Sequence, residues 1–557
     1  MKKNMNEKKE INYQFKILYA IGMFFVVANH CQNGGISVFY EFFPAYSFHM
    51  GLFVFCSGYF YKDAVENNIG KYIIKKTKKL LVPLYMWNFF YALFAQIMSL
   101  RGFSFGTGVT FKQLFLMPLT NGHQYVYNLA TWFVCPLFMV EVFNVIYRKA
   151  LSCIRDNVKE YMYVAISFVM GMLGIWLSSK GLNTGWWLVL TRFLHFVPFY
   201  CGGYFYKKIL ERKDTLSNTL YFSIVICLQL GIIWYKGGTL AYEQAWCRFD
   251  EFNAWPYIVG FLGIAFWLRI ARVLEPVIGK SKVVNLIADN SFSIMVNQFL
   301  GFMFVKSIFA TLFRYTNTLF QDFSWNEYHT NIWYYYLPKG LTQMYIIYEV
   351  GAIVLAIVIQ KMITGLKLKL GEGAHDSQIK LFLGGIVLCV VMGCTAYGIS
   401  IHVQRNGGVQ IPSITNYKLG QMLYFNAKHG NGIRYGEAGL SACESNFTWT
   451  DGKEVDFKFD IDGISSDLVL NLTCGIYGES QKLKLYVNGI YVTTIEVTKD
   501  IHDYEMTLPY SAIGKSDEIL ITFELPNATS PITKGEGNDP RILGLSIEKM
   551  VIRSCTN

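Results

Sequence analysis

The apolar run "FFVVANH" closes on a single histidine, His30, and the polar stretch "CQNGG" follows it. An imidazole there has an ordinary pKa of about 6.5, so it accepts and returns a proton near neutrality. A positioned base of this kind speeds attack by a weakly nucleophilic hydroxyl on the order of 10²–10⁴-fold. The simpler role is an interfacial cap at a helix end. His49 opens the next apolar run and can face His30 across the intervening loop, although an interfacial place suits it equally. "TRFLHF" sets Arg192 and His195 three residues apart on one helical face. A charge inside an apolar run is costly and therefore a functional hypothesis by default. Arg192 is read as a planar cation facing a central cavity, on a thioester, a phosphate or a developing oxyanion. Its structural alternative is an ion pair with Glu141 or Glu349. Ser57 beside Gly58 is either a small-residue packing patch or a polar catalytic contact, and Trp132 is a core or belt aromatic. The basic cluster 71–79 is first a positive-inside signal; as a secondary role, Lys75 and Lys79, which share a helix face, would bind phosphate as point charges. No Gly-rich phosphate loop and no metal-ligand spacing stands out.

These residues need elements to hold them, and the composition says which. The 557 residues are 53% hydrophobic and only 16% charged, beyond the soluble norm, so the chain is a membrane protein. The net charge of +11 comes from short basic clusters between apolar runs, which excludes nucleic acid as the partner. Eleven candidate spans are read at roughly 15–32, 46–61, 80–100, 127–147, 160–179, 185–206, 217–235, 254–272, 290–313, 339–361 and 380–402. Every second loop, starting with the N-terminus, carries the Lys and Arg excess expected of cytoplasmic loops. The N-terminus, without a signal-peptide cleavage site, is therefore expected inside. An odd number of crossings puts the residues after the last span outside.

From about Gln410 onward the pattern changes to alternating stretches such as "EVDFKFDIDG" and "KLKLYVNGIYVTTIEV", which predict strands joined by tight turns. The expected fold is thus an all-α polytopic membrane bundle of 10–11 transmembrane helices followed by an all-β sandwich or jelly roll. The domains are expected at 1–14 (cytoplasmic), 15–365 (membrane), 366–409 (a linker with the last span) and 410–557 (extracytoplasmic). Cys443 and Cys474 are a candidate disulfide in the last of these.

The order of motifs resembles the bacterial acyltransferase family 3 of multispanning O-acyltransferases. "VVANH" resembles that family's opening helix, "FHMGLFVFCSGYFYK" its Phe-rich segment, and "KKTKKLLVPLYMW" its basic stretch before a Pro-containing span. "NLATWFVCPLFMVE" and "DNSFSIMVNQFL" are similar to its Trp-Phe span and Ser-rich late helix, and the likeness covers about residues 10 to 365. Two positions depart from it. Tyr19 stands where the family usually has an Arg eleven residues before the histidine, with Lys16 one turn earlier as a substitute cation, and Gln298 stands where a late histidine is common.

The resemblance implies an integral membrane acyltransferase, acting as an O-acetyltransferase, that moves an acyl group from cytoplasmic acyl-CoA (acetyl-CoA) to a hydroxyl of an extracytoplasmic glycan. His30, His49 and Arg192 are the expected catalytic residues; Lys16, Tyr19, Ser57, Trp132 and His195 contact substrate; Lys75 and Lys79 hold the CoA phosphates. No permanently bound cofactor or metal is expected. Partners are membrane lipid, acyl-CoA and the glycan acceptor, with a homo-oligomer allowed. Relatives with an external esterase-like domain carry a Gly-Asp-Ser turn, which "YGES" lacks, so the β region is read as non-catalytic and carbohydrate-binding-like, with Trp449 and Tyr477 either stacking on sugar or filling the core. The competing class is a non-enzymatic transporter or glycan-sensing receptor.

Overall fold

The computed structural model describes residues 11–31, 42–105, 108–154, 159–315, 319–320, 322–370, 376–405, 417–426, 431–514, 518–537, 539 and 541–555. Residues 1–10, the "QNGG" stretch within 32–41 and residues 406–416 lie outside them. The chain forms two compact units, one of residues 1–100, 105–305 and 340–409, the other of 101–104, 306–339 and 410–557.

The first unit is helical. Asn12 caps helix α1 (Tyr13–His30) by accepting from the Phe15 N–H at 3.0 Å. Helix α2 (Ala45–Tyr59) follows, then α3 (Ile69–Lys76), which runs through a π-helical turn at Thr77–Leu81 into α4 (Val82–Ser99). Beyond a 3₁₀ segment broken at Asn128 come α5 (Val134–Ile154), α6 (Glu160–Ser179), α7 (Gly185–Phe205), α8 (Asn218–Lys236), α9 (Trp255–Ile278), α10 (Lys282–Asp289) and α11 (Ser291–Tyr315). The last two long helices are α12 (Tyr345–Leu370) and α13 (Asp376–Arg405).

Among the described residues, eight helices are long and apolar enough to cross a membrane, against the 10–11 expected. The other three expected spans, α1, α2 and α7, are helical but fall short of that test. Helix α2, at 15 residues, rises only about 22 Å, less than a hydrocarbon core of about 30 Å. The physical reason is position in the bundle. Every residue of α2 except Tyr46 and Ser57 is buried, whereas α8 buries only Val225, Gln229 and Ile232. A helix walled by protein needs neither the length nor the uniform apolarity of one that faces lipid.

Helices α2 and α7 meet backbone to backbone. A Cβ on Gly58 would lie 1.9 Å from the Tyr200 carbonyl oxygen, and one on Gly203 1.9 Å from that of Phe55. Only glycine allows this approach, so the Ser57-Gly58 pair is at least a packing device.

In the second unit, residues 423–554 build two antiparallel sheets of order β3-β4-β11-β6-β9 and β2-β5-β10-β7-β8, where β1 to β11 are Leu423–Tyr424, Gly436–Ala438, Leu440–Cys443, Thr448–Asp451, Glu454–Asp460, Leu468–Ile476, Gln481–Val487, Ile490–Val497, His502–Leu508, Glu518–Glu524 and Leu543–Ser554. The alternation of "EVDFKF" buries Val455, Phe457 and Phe459, which share one core with Ile521 of the same sheet and with Leu470 and Ile547 of the other. Asn488 and Gly489, both at positive φ, make the tight turn between β7 and β8. Trp449 and Tyr477 stay outside that core and meet edge to face at 6.2 Å. No disulfide joins Cys443 to Cys474. Cys443 is on β3 and Cys474 on β6, three strand spacings or about 14 Å apart, too far for a bridge.

Candidate active site

His30 ends α1 with its Nδ1 2.6 Å from the Val26 carbonyl oxygen, one turn back. A carbonyl only accepts, so Nδ1 carries the proton and Nε2 keeps its lone pair, the form a general base requires. The ring meets Phe299 edge to face at 5.2 Å, and the Gln298 side chain neighbours it. His49 repeats the arrangement in the first turn of α2, with Nδ1 2.6 Å from the Ala45 oxygen.

His30 lines a cavity of about 210 Å³ together with Tyr19, Ser57, Lys76, Lys79, Trp132 and Glu141. Tyr19 and His30 are eleven residues apart on α1, so this space extends about 16 Å along the helix. Tyr19 is hydrogen-bonded to Ser57 across the α1–α2 interface. At the same level Lys76 pairs with Glu141 at 2.6 Å, and Lys79 adds a second ammonium. The walls between are Phe53, Trp132, Phe133 and Leu137. One narrow cleft therefore has ammonium groups at one level and an imidazole at the other.

The family model described as an acyltransferase domain matches residues 12–360. The chain belongs to acyltransferase family 3. A search of the curated proteins gave no match. The matched stretch contains every residue named above around the cavity. The protein is accordingly a multi-pass membrane acyltransferase whose transferred group is not aminoacyl. This removes the transporter or receptor reading.

Within this acyltransferase, four of the expected site residues, His30, Tyr19, Ser57 and Trp132, share the cavity with Lys79. The others stand elsewhere. Lys75 is exposed, and Lys76 takes the place on the wall. Lys76 is three residues before Lys79, a spacing that shares a helix face as the four-residue spacing of Lys75 does. Lys16 forms an ion pair with Asp289 of α10, outside the cavity lining. His49 is buried near His30 but is likewise not among the lining residues.

Arg192 is 1% exposed and does not face the cavity. It pairs with neither Glu141 nor Glu349. Its Nε donates to the Ala245 carbonyl at 2.7 Å, Nη1 to Thr120 at 2.8 Å and Nη2 to Asn121 at 3.1 Å. Its guanidinium lies 4.8 Å from the Trp132 ring centroid. It thus clamps two loops and backs a cavity wall, because a five-donor fork satisfies loop carbonyls that no helix pairs. His195 is fully buried among Phe196, Phe199, Phe249 and Tyr257, away from the cavity.

Two groups at the site escaped the sequence reading. Glu141 figured there only as a possible partner of Arg192, although an acidic residue in the apolar run 134–145 demands a cation. His123 sits in the loop that Arg192 holds, stacked on Trp246 at 4.5 Å and close to both Arg192 and His30. Burial, with the Arg192 cation beside it, pushes its pKa down to about 3. Nothing local in "TNGHQ" signals this, since His123 reaches the site only through the loop's path.

Proposed function

We propose that this enzyme takes an acetyl group from acetyl-CoA on the cytoplasmic side and esterifies a hydroxyl of an extracytoplasmic glycan. The observation that supports it is the single cavity lined by Lys76 and Lys79 at one level and by His30 about 16 Å along α1. The lysines belong to the most basic loop of the chain, which the excess of Lys and Arg assigns to the cytoplasm. They suit the phosphates of CoA. With its pantetheine arm along the aromatic wall, the donor brings the thioester toward His30.

His30 Nε2 then removes the acceptor hydroxyl proton as the oxygen attacks the thioester carbonyl. The C–S bond breaks, the new C–O ester bond is complete, and the imidazolium returns its proton to the thiolate, giving CoA thiol and the ester. Gln298 and His49 hold the base from two sides. Arg192 acts as a positioning residue through Trp132 and the loop of His123. The β-sandwich, on this topology, lies outside with the glycan. The test is the O-acetyl content of the surface glycan in cells with and without the gene: a lower content without it supports the reading, and an unchanged content rejects the acceptor class.

A further inference from the structure

A second cavity, of about 360 Å³, opens where α2 and α7 end. It is lined by tyrosines and cations, with Asp63 and Glu211 as its carboxylates. Both carboxylates are engaged. Asp63 pairs with Lys208 at 2.8 Å and accepts from the Tyr204 hydroxyl, and Glu211 accepts from the Tyr59 hydroxyl at 2.9 Å. Three further cations line the same space: Lys62, Lys207 and Arg212.

Among the described residues none of these three has a carboxylate within ion-pair range. The Lys207 Nζ donates to the Tyr61 carbonyl at 3.1 Å and sits 5.7 Å from the Tyr59 ring centroid. Burial, with Lys208 and Lys62 nearby, holds this ammonium below the usual lysine range. Four cations line this concavity against two carboxylates, Asp63 and Glu211, which offset the charge only in part. An anionic ligand would offset the rest.

We propose that this pocket is a binding site for a phosphate ester, with Lys207, Arg212 and Lys62 supplying the charge. Phosphate is favoured over carboxylate because three cations converge on one small polar space, and a phosphate offers them three acceptor oxygens. Two sources carry that group to a membrane surface: the 3′-phosphate of a CoA nucleotide and the phosphodiester of an anionic lipid headgroup, for which basic pockets between helix ends are suited. The site goes beyond the acyl-transfer reading, since binding here requires no chemistry at His30.

The experiment uses the full chain in phosphatidylcholine nanodiscs. One arm compares calorimetric binding of CoA with that of dephospho-CoA. The other compares thermal stability in phosphatidylglycerol and phosphatidylcholine discs. Two variants are measured, Lys207→Gln/Arg212→Gln and Lys62→Gln/Arg212→Gln; Lys62 and Arg212 are exposed, so the second keeps the fold. The wild type should prefer one phosphate carrier, and both variants should lose that preference, about tenfold in affinity or the whole stability increment. A wild type that prefers neither carrier, or a variant that keeps the wild-type response to both, overturns the proposal whether or not the enzyme acetylates glycan.

Discussion

Lys76 and Glu141 form a 2.6 Å ion pair between α3 and α5 on the wall of the cavity that His30 also lines. Glu141 is 3% exposed. Removing Lys76 takes away the only cation bonded to this buried carboxylate among the described residues, with Lys79 acting on it from further off. That loss costs about 3–5 kcal/mol. Lys76→Ala should therefore lower the thermal midpoint sharply. The double variant Lys76→Met/Glu141→Leu should recover it, because an apolar pair of similar volume replaces both charges. Activity should stay lost in the double variant if Lys76 holds the donor; restored activity together with restored stability makes the pair purely structural.

His30→Gln separates a base from a helix cap. An amide keeps a polar group at the helix end but accepts no proton into a cationic form. Acyl transfer should fall on the order of 10²–10⁴-fold while expression and thermal midpoint hold. A well-expressed His30→Gln enzyme with normal turnover removes His30 from proton transfer.

Arg192→Lys keeps the charge and loses the fork. Its three carbonyl contacts, at 2.7–3.1 Å, cannot be reproduced by one ammonium. The expected loss is about 3 kcal/mol of stability, with turnover reduced through displacement of Trp132 and the 120–123 loop. Proteolysis should find that loop more accessible. A variant as stable and protected as wild type would mean the three hydrogen bonds do not hold the loops.

His123 makes the fold acid-sensitive in a defined window. Its folded pKa, about 3, lies below the ordinary value of 6.5, so the unfolded chain takes up the proton first. Its contribution is complete above about pH 6.5 and is lost as pH falls toward 3. In detergent, the thermal midpoint should drop from pH 7 to pH 5, and His123→Gln should make that slope shallower. An equal slope in both proteins would show that His123 is not buried as a neutral ring.

Several features of this chain are local and were legible in the residues. Hydropathy marked the long helices, period-2 alternation marked strands such as Glu454–Asp460, and the end of an apolar run put His30 at a helix terminus. The ordered motifs also carried the family. These signals depend only on near neighbours along the chain. Tertiary structure decided what depends on packing. Packing of α3 against α5 put Lys76 rather than Lys75 on the cavity wall, beside Glu141, and loop carbonyls from Thr120, Asn121 and Ala245 claimed Arg192 before any carboxylate could. Strand order kept Cys443 and Cys474 apart. Burial at the α2–α7 seam let the short α2 and the Arg- and His-bearing α7 sit in the bundle, where the surrounding protein rather than lipid sets what an apolar run must be.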